Sequence, residues 1–371
     1  MTAGTFNRLH TVNNVEAIQV TAIDPRGHTM GWKSLLTYLE IKVHHLLQEK
    51  EWRRVRVIGA YDRGCDISRF EKTDKMFNWQ RPTADVNGDE IVIKCFPGRD
   101  YVRHYGLIIA TYQQMVGRQN AGPVLCEIPS PQAVHEAASL ITLDVKDVDL
   151  VIVGWGLEHF TGSEGWAAGP GYAFKRDRLG GRNVMFLGFF HSIWGDVAGR
   201  VVGRLAALGA RRVVYVGKVG TLRPGVVPNT CLATGSESVL HGETTRWVSY
   251  FGDLSGYLDS GYGDNILTGI HVTSPSILLE NRRWLAANRG RLFVDPEIGP
   301  MGAAAREAGI DFGYLHVISN NLAHEYDEDL SNERKRSVVD RRHRLLDQIQ
   351  AVICSRLQET AGHRTGREAD A

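Results

Sequence analysis

The architecture follows from the stretch 213-VVYVGKVGTLRPG-225, in which a run of β-branched and aromatic residues stops abruptly at Gly217. Such a run predicts a buried strand that ends there. Lys218 lies between Gly217 and Gly220, so a positive charge is expected at the strand's carboxyl edge. Glycines let backbone N–H groups approach an anion closely, and a lysine adds charge. We therefore expect these three residues to bind a ligand, the alternative being a tight turn beside a solvated amine.

Strand and helix patterns alternate on both sides of this segment. Buried-type runs predict strands at 148–154, 183–190, 211–217, 266–272, 291–297 and 312–319. Helical periodicity predicts helices at 196–209, 276–290, 300–309 and 331–357. This alternation is typical of an α/β fold with a mixed, mostly parallel sheet flanked by helices. In such sheets ligands bind beyond the carboxyl ends of the strands, which is where Lys218 is expected.

The N-terminal residues also have an α/β pattern, but they contain no catalytic motif. Strands are predicted at 55–64 and 90–96, and helices at 29–52, 101–117 and 133–141. The polar residues at the C-terminus favour disorder. We therefore predict an N-terminal α/β region of unknown role (1–145), a main domain (146–358) and a disordered tail (359–371).

Composition excludes several classes of protein. The formal net charge of +1 over 371 residues argues against a nucleic-acid groove or a polybasic membrane patch. Five widely spaced cysteines without a CxxC pair indicate reduced thiols rather than a disulfide framework or a zinc site. The N-terminus has no apolar signal segment, and no run approaches the ~20 apolar residues of a membrane span. We expect a soluble, cytoplasmic protein with no nucleic-acid polymer, membrane or metal partner.

The motifs of four common enzyme classes are absent from the sequence. It contains no Walker loop, no Gly-x-Gly-x-x-Gly opening a helix, no His-Glu-x-x-His and no Gly-x-Ser-x-Gly. The sequence therefore gives no motif evidence for four enzyme classes: an ATPase, a nicotinamide enzyme, a zinc hydrolase or an α/β-hydrolase.

Four segments occur in the order that is found in the nucleoside phosphorylase superfamily. They are 200-RVVGRLAALGARRVVYVGKVGTLRPGVVPNTCLATGS-236, 294-VDPEIGPMGAAAREAGI-310, 317-VISNN-321 and 331-SNERKRSVVD-340. The C-terminal ~210 residues thus resemble the branch that contains hexameric purine nucleoside phosphorylases, uridine phosphorylase, methylthioadenosine nucleosidase and AMP nucleosidase. The resemblance implies a nucleoside phosphorylase-like fold, a homo-oligomer, and no cofactor beyond phosphate as a co-substrate.

The resemblance also implies three catalytic residues. Glu297 falls on the carboxylate that accepts hydrogen bonds from the ribose hydroxyls and stabilises a sugar cation. Asn320 falls where many members carry the aspartate that protonates or hydrogen-bonds the purine N7. Arg334 falls near the arginine that supports that acid.

Six further residues are assigned to substrate binding. They are Gly217, Lys218, Gly220, His191, Asp295 and His271. Lys218 occupies the Thr/Ser position of the family's phosphate loop. His191 ends a strand beside the expected sugar site, and His271 precedes the strand of Glu297. For both histidines a purely structural role is the alternative.

Three departures from the family pattern bear on the reaction. Asparagine cannot act as a general acid at neutral pH, although the Asn320 amide can donate one hydrogen bond and accept another. Tyr215 stands where several phosphorylases place a phosphate-binding arginine, and residues 154–171 replace the Gly-Asp-Pro phosphate loop. Phosphate and water both stay open as the nucleophile.

The sequence therefore predicts an enzyme that cleaves or exchanges the N-glycosidic bond of a purine-type nucleoside or nucleotide. Two alternatives stay open. One is a nucleoside- or nucleotide-binding protein that has lost turnover, and the other is a biosynthetic enzyme repurposed for a modified nucleoside.

Overall fold

The structure, a computed structural model, describes residues 16–252 and 265–368 of the 371-residue chain. Within these ranges the strands form a five-stranded sheet in the N-terminal part and a twelve-stranded sheet in the C-terminal part. Helices pack against both sheets. The predicted α/β class is confirmed. Among the described residues no helix is long and apolar enough to cross a membrane.

The N-terminal sheet has the strand order β1-β5-β2-β4-β3. Its strands are β1 (Glu16–Val20), β2 (Arg54–Ile58), β3 (Thr83–Asn87), β4 (Glu90–Lys94) and β5 (Val124–Ile128). Its helices are α1 (Trp32–Glu40), α2 (Leu46–Glu49), α3 (Arg99–Met115) and α4 (Pro131–Ser139). The single helix predicted over 29–52 is thus two helices, because Val43 and His44 turn inward after α1 and become fully buried.

The C-terminal sheet is mixed. Its strands are β6 (Leu150–Gly154), β7 (Ala167–Gly169), β8 (Tyr172–Leu179), β9 (Arg182–Phe189), β10 (Arg212–Thr221), β11 (Leu232–Thr234), β12 (Glu237–Leu240), β13 (Glu243–Arg246), β14 (Ile266–Thr268), β15 (His271–Thr273), β16 (Phe293–Asp295) and β17 (Asp311–Asn321). The helices are α5 (Leu157–Thr161), α6 (Asp196–Ala207), α7 (Arg282–Ala287), α8 (Ile298–Ala308) and α9 (Arg336–Glu368). A short 3₁₀ helix covers Ile277–Leu279.

The quoted segment forms β10 at the centre of this sheet, and its side chains alternate between two covered faces. Val213 and Tyr215 belong to the core that α6 and α8 cover, whereas Val214 and Val216 belong to the core that α9 covers. Side chains alternate because the strand repeat is two residues. Each fully buried valine contributes roughly 1.5–3 kcal/mol relative to an exposed one.

Polar contacts, some partly and some fully buried, join the two parts of the chain. The N-termini of α3 and α6 exchange carboxylates: Asp196 Oδ1 accepts a hydrogen bond from the Asp100 N–H at 3.3 Å, and Asp100 Oδ2 accepts one from the Asp196 N–H at 3.0 Å. Carboxylates are favourable at helix N-termini, where backbone N–H groups lack partners. His104 Nδ1 lies 2.7 Å from Ser276 Oγ. The N-terminal part is therefore packed against the main sheet.

Some predicted boundaries differ from the structure. The last helix begins at Arg336 rather than at 331 and continues to Glu368, past the predicted boundary at 358. Residues 1–15 and 369–371 lie outside the described residues. The hairpin of β8 and β9 was not predicted, although its turn is formed by Gly180 and Gly181 with φ values of 56° and 80°. A Gly-Gly pair with positive φ is typical of a two-residue hairpin turn.

Candidate active site

A cavity of about 220 Å³ lies at the carboxyl ends of β10, β16 and β17. It is lined by seven of the nine residues that the sequence assigns to the site. These seven are Gly217, Lys218, Gly220, His191, Asp295, Glu297 and Asn320. Arg334 and His271 are not among its lining residues.

The cavity opens beside residues 217–219 of β10, which on one edge have no strand partner in the described part of the chain. On its other edge β10 pairs with β17 along its whole length. On the open edge β6 pairs as far as Val216, and β16 takes over at Gly220. Residues 217–219 therefore face a gap between two strands, and backbone groups are exposed to the cavity there. The strand predicted to end at Gly217 continues to Thr221 because β16 and β17 supply partners beyond it.

The two glycines of β10 are required for space rather than for a turn. A Cβ atom on Gly217 would lie 3.0 Å from His316 Cε1. A Cβ atom on Gly220 would lie 2.9 Å from Leu322 Cδ1 and 3.1 Å from Val294 Cγ1. Glycine inside a strand often marks such close approach.

A pair of buried carboxyl groups forms one wall of the cavity. Asp295 ends β16, and its Oδ1 accepts hydrogen bonds from the N–H groups of Glu297 at 2.9 Å and Ile298 at 2.8 Å, at the start of α8. The Glu297 side chain lines the cavity and has no ion-pair partner among the described residues. Burial, together with the nearby charge of Asp295, raises the pKa of Glu297 well above its ordinary value. Paired carboxyl groups that share a site behave in this way, and they cluster at functional sites.

A third carboxyl group, Glu280, lines the same cavity. Burial raises its pKa to about 8, so it holds its proton at neutral pH. Glu280 and Asn320 also line a smaller neighbouring cavity together, which places them on one stretch of wall. The sequence did not point to Glu280, because it follows a short 3₁₀ helix and belongs to no motif.

His271 supports the carboxyl pair from behind. The Asp295 N–H donates to His271 Nε2 at 2.8 Å, and His271 Nδ1 lies 2.8 Å from Ser238 Oγ. The ring is fully buried and is not among the residues that line the cavity, so its contact with the site is through Asp295. His316, which the sequence analysis missed, lies with its Nδ1 3.6 Å from Asp295 Oδ2. Burial lowers the pKa of His316 to about 4, so this ring is neutral.

Asn320 presents a hydrogen-bond donor to the cavity. Its Oδ1 accepts a bond from the Ser319 hydroxyl at 3.1 Å. For its Nδ2, no acceptor is found within hydrogen-bond distance among the residues that the structure describes. In the pairing of β10 with β17, Asn320 lies opposite Gly220, just after the register shifts between Val219 and Gly220. This irregularity turns the Asn320 side chain toward the cavity. The side chain can therefore donate to an acceptor on a ligand.

Lys218 is not a solvated surface amine. Its Nζ forms an ion pair with Glu333, whose carboxylate also lies 3.3 Å from Arg342 Nη1 and 3.7 Å from Lys72 Nζ. Burial lowers the pKa of Lys218 to about 8. The amine lies 5.8 Å from the centre of the Trp155 ring, a distance suited to a cation–π contact.

Arg334 does not support Asn320 as predicted. The chain before α9 runs through turns, and Arg334 is exposed on it, whereas the adjacent Glu333 points into the cavity. Arg342, in the second turn of α9, is the arginine that reaches this carboxylate. A run of charged residues does not reveal which member faces inward, because the direction depends on the irregular turn.

His191 lines the cavity as an uncharged aromatic ring. It packs against Phe96 at a centroid distance of 4.6 Å and against Phe189 at 5.9 Å. Its buried Nδ1 has no hydrogen-bond partner among the described residues. Burial lowers the pKa of His191 to about 3. An unpaired buried ring nitrogen at a cavity wall is free to bond a ligand.

The N-terminal part supplies another portion of the cavity wall. Its contributing side chains include Tyr38, Lys42, Lys72, Lys75, Arg81 and Tyr101. They come from separate segments of a region without motifs, so no local signal in the sequence indicated them. One group of three potential metal ligands exists among the described residues, His44, His45 and Asp66, and none of the three lines the cavity.

Comparison with known proteins gives no matching family model. A curated relative, oxidoreductase cns1 of Cordyceps militaris, is 26% identical over an alignment 272 residues long that covers 64% of this chain and 33% of that protein. The chain thus spans about a third of this relative's length.

Several solved structures are similar to the C-terminal part. A 5′-methylthioadenosine/S-adenosylhomocysteine nucleosidase from Colwellia psychrerythraea in complex with adenine has a TM-score of 0.44 and 14% identity, covering 57% of this chain and 96% of its own. A futalosine hydrolase mutant of Helicobacter pylori has a TM-score of 0.43 and 14% identity, with coverages of 57% and 98%. A P. knowlesi homolog of P. falciparum PNP has a TM-score of 0.44 and 11% identity, with coverages of 60% and 94%.

With TM-scores below 0.5, none of these similarities assigns a substrate or a reaction to this chain.

Proposed function

We propose that this protein is an enzyme that cleaves the N-glycosidic bond of a purine-type nucleoside or nucleotide. One observation carries the proposal: the carboxyl pair of Asp295 and Glu297, the Asn320 amide and the open edge of β10 line a single cavity. Carboxyl groups that accept sugar hydroxyls and an amide that bonds a heterocycle are the polar groups that nucleoside recognition needs.

In this proposal the sugar lies against the carboxyl pair. The Glu297 carboxyl group can form hydrogen bonds with the ribose hydroxyls. Positive charge develops on the sugar as the C1′–N bond breaks, and the carboxyl pair lies where its negative charge stabilises that cation. His271 holds Asp295 in place through the Asp295 N–H.

The leaving base needs a proton, and Asn320 cannot supply one. Glu280 is protonated at neutral pH and lies on the same stretch of wall as Asn320. We assign the proton transfer to Glu280 and hydrogen bonding of the base to Asn320. In hydrolysis, the base leaves with the Glu280 proton, the water oxygen bonds to C1′, and a proton of that water restores Glu280.

Release of free base tests the proposal. The protein is incubated with purine nucleosides and their 5′-monophosphates, with and without phosphate, and bases are separated by liquid chromatography. Base formed only with phosphate indicates phosphorolysis, and base formed without it indicates hydrolysis. Glu297→Gln should lower kcat/KM by about 10²–10³-fold. Glu307→Gln, at an exposed glutamate on α8, the helix that follows Glu297, is the matched control.

A folded Glu297→Gln variant with wild-type kcat/KM would show that the sugar does not lie against this carboxyl group. One observation favours a second candidate function, a binding protein without turnover: the family's acid position holds the amide of Asn320. That candidate is supported if a nucleoside or nucleotide raises the Tm and no base is released. We do not propose an oxidoreductase, because the match to the fungal relative covers a third of that protein and the sequence has no dinucleotide-binding motif.

A further inference from the structure

One side of the cavity is rich in positive charge. Five cationic side chains line it, and we call them the cationic cluster: Lys42, Lys72, Lys75, Arg81 and Lys218. Four of the five come from the N-terminal part, and Lys218 comes from β10. None of the four belongs to a segment that resembles the nucleoside phosphorylase superfamily.

Among the described residues, one carboxylate forms ion pairs with members of this cluster. Glu333 contacts Lys218 directly and lies 3.7 Å from Lys72. Among the described residues, Lys42, Lys75 and Arg81 have no carboxylate within ion-pair distance. Glu333 is also shared with Arg342, which lies outside the cavity lining. The cluster therefore contains more cations than the one carboxylate can neutralise.

The unpaired members are held in place rather than free in solvent. Arg81 is 6% exposed, and its Nη1 donates a hydrogen bond to the Gln80 carbonyl at 2.7 Å. The Lys75 amine lies 6.0 Å from the centre of the Trp155 ring. Burial lowers the pKa of Lys42 to about 7, so a nearby anion would help to hold this amine charged at neutral pH. Grouped cations without counter-charges are costly, and a bound anion removes that cost.

We propose that the cationic cluster binds a phosphomonoester on the substrate, so that the enzyme acts on a nucleoside monophosphate. The inference rests on the proposed function. A phosphate dianion offers three acceptor oxygens, which suits several amines and a guanidinium around one point. Inorganic phosphate has the same chemistry, but an attacking phosphate must contact C1′ beside Glu297. The cluster, in contrast, is built mainly from the N-terminal part, and Lys218 is its one member from the strand ends near the carboxyl pair.

Binding is measured by calorimetry and by thermal shift with three probes: the 5′-monophosphates of adenosine, guanosine and inosine, the matching nucleosides, and inorganic phosphate. We expect at least one monophosphate to bind about tenfold or more tightly than its nucleoside, which corresponds to one charge-assisted hydrogen bond. Lys75→Gln should reduce this preference by about tenfold. Lys146→Gln, an exposed lysine in a loop, should keep it.

Lys75→Gln removes an unpaired cation, so its Tm without ligand should be no lower than that of the wild type, which confirms that the variant folds. The proposal is overturned if no monophosphate binds more tightly than its nucleoside, or if Lys75→Gln keeps the preference. It is also overturned if, in the presence of inorganic phosphate, the nucleoside binds as tightly as its monophosphate. The cluster would then be a site for free phosphate. Base release is followed in the same samples. Tighter binding of a monophosphate than of its nucleoside, without release of base, would contradict the proposed function but support the phosphate site.

Discussion

Replacing Glu333 with glutamine should destabilise the protein, because three cations share this carboxylate. Lys218 contacts it directly, Arg342 Nη1 lies at 3.3 Å and Lys72 Nζ at 3.7 Å. The side chain of Glu333 is 11% exposed, so solvent cannot replace the lost charge effectively. Burial by itself would raise the pKa of Glu333, but the lysines and the arginine hold it well below its ordinary value.

The size of the effect follows from the burial of the group. Removing one partner of a buried ion pair typically costs about 3–5 kcal/mol, since the other charge is left uncompensated. The entropy of unfolding for 371 residues, at about 2.1 cal/mol/K per residue, is about 0.8 kcal/mol/K. If unfolding is a single transition, Glu333→Gln should therefore lower the Tm by about 4–6 °C.

The sign of the pH dependence can be checked in the same experiment. The pKa of Glu333 is lower in the folded state, so its stabilising effect is present above the unfolded pKa of about 4.5 and is lost as pH falls through the folded value. In the variant, Lys42 and Lys218 can lose protons at alkaline pH and relieve their repulsion. The difference in Tm should thus be largest near pH 6 and smaller at pH 9.

Melting curves followed by circular dichroism at these two pH values measure the difference, with Glu307→Gln as the control. Millimolar phosphate should recover part of the lost stability at pH 6, because the anion replaces the missing carboxylate. If the Tm of Glu333→Gln equals that of the wild type within 1 °C at pH 6, the ion pairs around this carboxylate do not stabilise the fold and the reasoning is refuted.

Three further substitutions test the fold and the proton donor. Glu280→Gln should lower kcat by about 10²–10⁴-fold; wild-type turnover would remove Glu280 from proton transfer. Because the pKa of Glu280 is raised to about 8, its stabilising effect is present below the unfolded pKa and lost as pH rises toward 8. Glu280→Gln should therefore lose less stability than the wild type between pH 5 and 8.5 in urea titrations. Gly154→Ala should leave little folded protein on gel filtration, because φ is 138° and the added Cβ would lie 1.9 Å from the Val216 carbonyl oxygen. Gly203→Ala, inside α6 with open space around it, should instead add about 0.5–1 kcal/mol in urea unfolding; a loss of stability there would contradict the helix assignment.

The sequence alone was enough to predict the elements around the site. The apolar run at 213–217 predicts β10, the periodic stripe at 196–209 predicts α6, and the run at 312–319 predicts β17. Glu297 and Asn320 could be expected at one sheet edge, because the ends of neighbouring strands lie together there. These features depend on residues that are adjacent or a few positions apart, so a local pattern contains them.

The charges of the cavity could not be predicted in this way. Lys218 and Glu333 are 115 residues apart in the chain, and no local pattern pairs them. The other lysines come from loops of the N-terminal part, and the inward turn of Glu333 instead of Arg334 depends on an irregular loop. Hydrophobic periodicity is a property of the chain itself, whereas the pKa values and counter-charges of a site depend on distances that exist only after the two parts have packed together.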